Sequence, residues 1–172
     1  MNIPSGSPYI TQVGGTTLTM NGAGATFAAE TVWNDRTVNP NGGNWGSSGG
    51  ICTLYSIPSW QSGTSMAGNS GSTTKRNIPD VALTANNVYS TYDNGSAGST
   101  GGTSCSAPLW AGFMALVNQQ AVANGLPPAG FINPAVYALS QTANYTNCFH
   151  DTKTGDNAWS ASAGKFSAVT GL

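Results

Sequence analysis

The string GGTSCSAPLW, residues 101–110, sets a Gly-Gly pair and hydroxyl side chains directly before an apolar run. A serine entering a helix through glycines is placed for nucleophilic chemistry. The glycines permit close approach, the helix fixes the rotamer, and the first-turn amides favour a developing oxyanion. The same pattern also serves as ordinary helix capping by Ser104 or Ser106. A second string, GSSGG at residues 46–50, satisfies G-x-S-x-G around Ser48. An esterase elbow needs a strand before that serine and a helix after it. The flanks NPNGGNW and ICTLYSIP read as loop and strand instead, so Ser48, Gly49 and Gly50 are loop residues.

The elements that must position Ser104 follow from periodicity and punctuation. Leu109, Gly112, Phe113, Leu116, Val117 and Gln120 recur at intervals of three and four after Pro108 in the first turn. That predicts a helix capped by Ser104 or Ser106 and running to about Ala123, where Gly125 and Pro127-Pro128 stop it. A shorter helix, NPAVYALSQ, is predicted behind an Asn133 cap and Pro134. Upstream, residues 9–19 read as strand, bend and strand around Gly14-Gly15, and Asn34 to Gly50 as a long surface loop. NIPDVALTAN and VYSTYDNG are strand-like, the second closed by an Asn-Gly turn signal, so a parallel or mixed sheet is expected. Beyond Cys148 the chain reads as loop with brief strands.

Few other residues offer chemistry. Glu30 and Asp35 stand five apart, off the four-residue helical spacing, and read as loop or cap residues. Asp80 is expected to accept backbone hydrogen bonds at a strand start or to pair with Arg76. His150 could act as a base for a serine, but it lies in a loop far along the chain, without a visible orienting partner. Of the three cysteines, Cys105 falls inside the predicted helix as a buried thiol, which leaves Cys52 with Cys148 as the disulfide to examine. They show no metal-ligand spacing.

Composition bounds the rest. The 172 residues suit one domain, able to bury about 70% of its unfolded surface. Charged residues make up only 6% and the net charge is −1, which argues against nucleic acid and anionic membranes as partners. With 39% hydrophobic residues and abundant aromatics the chain is globular. The polar load falls on Gly, Ser, Thr and Asn, which suits an extracellular or acid-exposed setting. APLWAGFMALV is too short to span a bilayer, and MNIPSGSPYI lacks the regions of a signal peptide.

The longer string GGTSCSAPLWAGFMAL resembles the serine-carboxyl peptidases of the sedolisin family, relatives of subtilisin. SPYITQVGGTTL, ETVWND, GSSGG before PSWQ, RNIPDVAL, FHDTKTGDN and AGKFSAVTGL are similar to that family in the same order. The resemblance implies that Ser104 is a nucleophile in a peptide cleft with Gly102, Thr103 and the Ser48-Gly49-Gly50 loop. It implies an α/β fold: part of a subtilisin-like domain, residues 1–172 being one unit with a mostly parallel sheet and the serine helix through its middle. It further implies a secreted protein acting on peptides or proteins. The family's base, a Glu and Asp four residues apart, and its oxyanion Asp match no position here and belong upstream of the matched segment. Without a base, worth about 10²–10⁴ in rate, hydrolysis would be weak or absent. A non-catalytic peptide- or polymer-binding module and a promiscuous serine esterase are the alternatives. Elements missing from the sheet imply exposed apolar faces, covered by self-association or by an upstream half-domain. The family also binds calcium, which the resemblance places at Asp151 and the carbonyls of Thr152 and Gly164. Ser167 stands where a second Asp is expected, which weakens the site unless Asp156 compensates.

Overall fold

The computed structural model describes residues 4–24, 26–35, 45–66, 68, 70–157 and 170–172. Its centre is a three-stranded sheet in the order β2-β1-β5, formed by β1 (Val13–Met20), β2 (Phe27–Val32) and β5 (Val81–Thr84). β1 runs antiparallel to β2 and parallel to β5, so Thr16 faces Val32 on one side and Thr84 on the other. β3 (Gly50–Ser56) pairs antiparallel with β4 (Lys75–Ile78), and β6 (Val88–Tyr92) with β7 (Ser96–Thr100). The helices are α1 (Ser59–Ser62), α2 (Thr103–Ala123), α3 (Asn133–Ser140) and α4 (Tyr145–Cys148).

The architecture is mixed α/β. The strand pairing differs from the mostly parallel expectation: among the described residues only β1 and β5 pair in parallel. β1 also runs unbroken through Gly14-Gly15 where a bend was expected. Gly15 is there for space, since a Cβ on it would lie 2.7 Å from the Ala85 Cβ and 3.3 Å from the Thr103 Cγ2. The small residue lets the start of α2 lie against the sheet.

α2 has the predicted extent but a different start. Its N-cap is Gly102, at φ 118°, a left-handed conformation in which glycine carries no Cβ penalty. The Gly102 amide donates to the Ala85 carbonyl at 2.7 Å, tying the turn to the end of β5. Neither serine caps the helix; the Ser106 hydroxyl donates instead to the carbonyls of Leu83 (2.9 Å) and Thr84 (3.2 Å). Trp110 Nε1 donates to the Ala82 carbonyl at 3.0 Å, so successive turns of α2 are stitched to β5. Pro108 lies inside the helix rather than in its first turn. Its missing N–H deprives the Ser104 carbonyl of its intrahelical donor. α3 likewise begins at Asn133 without using it as a cap; the Asn133 amide bonds the Ile10 carbonyl and the Thr11 hydroxyl.

The interior is unusually polar. A small apolar cluster of Met66, Tyr137 and Leu172 is joined by Trp60 and Val136. Beside it Arg76 and Asp80, both fully buried, form a bidentate ion pair with both N–O distances at 2.7 Å. Asp80 also accepts from the Gln12 amide (2.8 Å) and the Tyr137 hydroxyl (3.0 Å). Both readings of Asp80 therefore hold at once. Gln61 donates to the Tyr137 oxygen at 2.7 Å and accepts from the Asn77 amide. The Tyr137 phenol is held well above its usual pKa, first by burial and then by the Asp80 carboxylate.

Apolar side chains remain outside. Leu109, Phe113, Leu116 and Val122 of α2 are all exposed, Leu116 to 65%. All three cysteines are free thiols, so Cys52 and Cys148 are not joined. Cys52 is buried beside Gly6, Cys105 is half-buried rather than buried, and Cys148 is exposed.

Candidate active site

Ser104 is the second residue of α2 and is exposed, whereas Ser106 is buried. The two differ because the helix turns Ser106 toward the β5 carbonyls and leaves Ser104 facing outward. Among the described residues the Ser104 hydroxyl has no hydrogen-bond partner. It opens onto a cleft of about 570 Å³ bordered by Trp33, Asp35, Trp45, Asn86 and Asn87, with Gly102 and Thr103 beside it.

Three chain segments converge there. β2 ends at Val32, and the chain continues through Trp33, whose amide donates to the Gly15 carbonyl at 3.1 Å. An isolated bridge between Asn34 and Gly46, with the Asp35 amide donating to the Trp45 carbonyl at 2.8 Å, brings Trp45 opposite Asp35. Asn86 and Asn87 come from the turn between β5 and β6. The GSSGG loop is anchored by Ser47 rather than Ser48. The buried Ser47 hydroxyl accepts from the Gly15 amide at 2.8 Å, and its carbonyl accepts from Asn157 Nδ2 at 2.7 Å. Ser48 is exposed, and Ser48, Gly49 and Gly50 do not border the Ser104 cleft.

Asp35, read as a loop or cap residue, also borders the cleft. Glu30 lies within β2, not in a loop, and takes the Thr16 hydroxyl at 2.5 Å. It also supplies the partner that His150 was expected to lack: His150 Nδ1 approaches Glu30 Oε2 at 3.4 Å, with the imidazole 4.0 Å from the Phe27 ring. This pair borders a separate cleft of about 270 Å³ and not the one at Ser104. His150 is therefore not placed as a base for that serine.

Around the expected calcium ligands, the Asp151 carboxylate lies 3.4 Å from Lys153 Nζ and is hydrogen-bonded to Tyr145. The Tyr145 phenol is raised far above its usual range by burial and then by that carboxylate. Thr152 is buried, and Asp156 accepts from Asn34 Nδ2 at 3.2 Å. Gly164 and Ser167 lie outside the described residues. Among those described, no three His, Cys, Asp or Glu side chains group closely enough to hold a metal.

Ser104 thus stands at the head of a helix held against the sheet, with its hydroxyl open to a cleft. No family model matches the chain. Comparison with curated proteins is more informative. The chain is 36% identical to kumamolisin of a Bacillus species over 91% of its own length and 26% of that relative's. It is 35% identical to xanthomonalisin of a Xanthomonas species over 98% of the chain and 20% of the relative. Sedolisin of a Pseudomonas species is 36% identical over 91% of the chain and 25% of the relative. The chain belongs to the sedolisin family of serine-carboxyl peptidases and spans about a quarter of the length of these relatives.

Proposed function

We propose that this chain carries the nucleophile portion of a serine-carboxyl peptidase site, on a part of a subtilisin-like α/β domain. The observation that carries the reading is the contrast between two serines two residues apart, on different faces of α2: Ser106 is consumed by β5, and Ser104 faces an aromatic-walled cleft. In the reaction the Ser104 Oγ bonds to the peptide carbonyl carbon while its proton passes to a carboxylate base. First-turn amides of α2 favour the oxyanion, the C–N bond breaks as the proton reaches the leaving amine, and water hydrolyses the acyl ester. The family's Glu and Asp pair has no match in these residues. The base therefore has to come from additional polypeptide of the kind the longer relatives carry.

Two further elements belong to the same reading. The exposed Leu109, Phe113, Leu116 and Val122 support a covering partner for α2, either that polypeptide or a second copy. A monodisperse monomer at high concentration in analytical ultracentrifugation would count against self-association. Export from the cell is proposed on the family and the low charge; among the described residues no helix is long and apolar enough to cross a membrane. Calcium at Asp151 and the Thr152 carbonyl rests on the family pattern alone, and equal melting temperatures in calcium and in chelator would dismiss it.

The direct test is labelling with a fluorophosphonate probe across acidic and neutral pH, read by mass spectrometry. Ser104 is expected to be labelled and the Ser104→Ala variant is not. No labelling of the folded chain at any pH would leave a non-catalytic binding module in place of a peptidase. Labelling with turnover of an activated ester but of no peptide would leave an esterase.

A further inference from the structure

We propose that the Ser104 cleft selects a basic side chain, arginine or lysine, in the peptide it holds, and that Asp35 is the residue that sets this specificity. The inference rests on the peptidase reading for the identity of the ligand as a peptide. Its physical basis is separate.

Among the described residues bordering the cleft, Asp35 is the one that is charged; its neighbours are indoles, asparagine amides, glycines and hydroxyls. It is half-buried, and among the described residues its carboxylate makes no ion pair or hydrogen bond. It is nevertheless held in place. Its own amide is tied to the Trp45 carbonyl at 2.8 Å, and the preceding Asn34 bridges to Gly46 and donates to Asp156.

Two indoles share the cleft. Trp33 is buried to 7% exposure as a fixed wall, and Trp45, 68% exposed, stands at the rim. A guanidinium or ammonium group is the chemistry that gains from both kinds of wall, pairing with the carboxylate and lying against an indole face. An acidic side chain would be repelled. An apolar one would take water from an unpaired carboxylate and return nothing for it. Asn86 and Asn87 also line the cleft and add neutral amides, to which backbone groups of an extended peptide can bond without competing for the charge.

The experiment compares two probes on the folded chain: the peptide Ac-Ala-Ala-Arg-Ala-NH2 and its citrulline counterpart, which keeps shape and hydrogen-bonding atoms but carries no charge. Binding is followed by calorimetry and by tryptophan fluorescence. The arginine peptide is expected to bind about tenfold more tightly. Asp35→Asn is expected to bring the ratio near one, and Asp35→Glu to restore most of it. The charge-dependent ratio separates specificity from a folding defect, because a merely structural role would weaken both peptides together. Equal affinities for the two peptides, a ratio that survives Asp35→Asn, or binding of neither peptide would overturn the inference. Labelling of Ser104 by the fluorophosphonate with no arginine preference would sink this inference alone. An arginine preference with an unreactive Ser104 would sink the peptidase reading and leave a cation-selecting binding site.

Discussion

The buried Arg76–Asp80 pair gives the sharpest stability prediction. Asp80→Asn preserves shape but removes the charge and turns one acceptor into a donor. In the native protein the carboxylate accepts from Arg76 Nη1 and Nη2, the Gln12 amide and the Tyr137 hydroxyl, all at 2.7–3.0 Å. The variant leaves a fully buried guanidinium without its counter-charge and points an amide N–H₂ at one or more of these donors. Breaking a buried pair from one side costs about 3–5 kcal/mol. With a urea slope of about 2 kcal/mol per molar, the unfolding midpoint should fall by about 2 M. Equilibrium urea unfolding followed by tryptophan fluorescence suits the measurement, because Trp60 lies 4.9 Å from the Arg76 guanidinium. Replacing both partners, as Arg76→Met with Asp80→Leu, should recover much of the loss, since no lone charge then remains. A midpoint drop below about 0.5 M for Asp80→Asn at unchanged slope would refute the reasoning.

Three other outcomes are expected. The Tyr137 phenol has a raised pKa in the folded state, so its contribution is fully present below pH of about 10 and is lost as pH rises above that. Stability should fall there by about 1.4 kcal/mol per pH unit for this group, and Tyr137→Phe should remove that part of the slope in urea titrations at stepped pH. Ser106→Ala should cost about 1–2 kcal/mol by leaving the Leu83 and Thr84 carbonyls without its hydroxyl, while Ser104→Ala leaves the thermal midpoint unchanged. Gly15→Ala drives a methyl to 2.7 Å from the Ala85 Cβ and should lower stability by about 1–3 kcal/mol, measurable as a shifted melting temperature.

Local signals in the sequence carried the elements well and the tertiary sites poorly. α2 was legible because its glycines, prolines and apolar spacing agree over many residues, and the turn that closes β6 because Asp93-Asn94-Gly95 supplies its positive φ angles. The bend at Gly14-Gly15 was misread because glycine marks either a turn or a close approach, and only the packed Ala85 and Thr103 tell which. The capping serines were misread for a similar reason: the β5 carbonyls that claim Ser106 are more than twenty residues away. The place of Ser104 at the head of α2 was legible in its string. Asp35 was missed because its place in the cleft depends on the Asn34–Gly46 bridge. The Glu30–His150 contact joins the second strand to a loop near the other end of the chain, a distance no local pattern spans.

The proline within α2 bears on what holds Ser104. The residue 108 nitrogen has no proton to give the Ser104 carbonyl, so the first turn is joined to the rest of the helix by one bond fewer. The ties that remain run sideways, from the Gly102 amide, the Ser106 hydroxyl and the Trp110 indole to successive carbonyls of the Ala82–Ala85 segment. Ser104 is thus registered to a strand rather than to a helix axis. The sideways ties fix the hydroxyl at the sheet whatever the far end of α2 meets, so changes on the exposed distal face of the helix act on Ser104 only through the helix backbone.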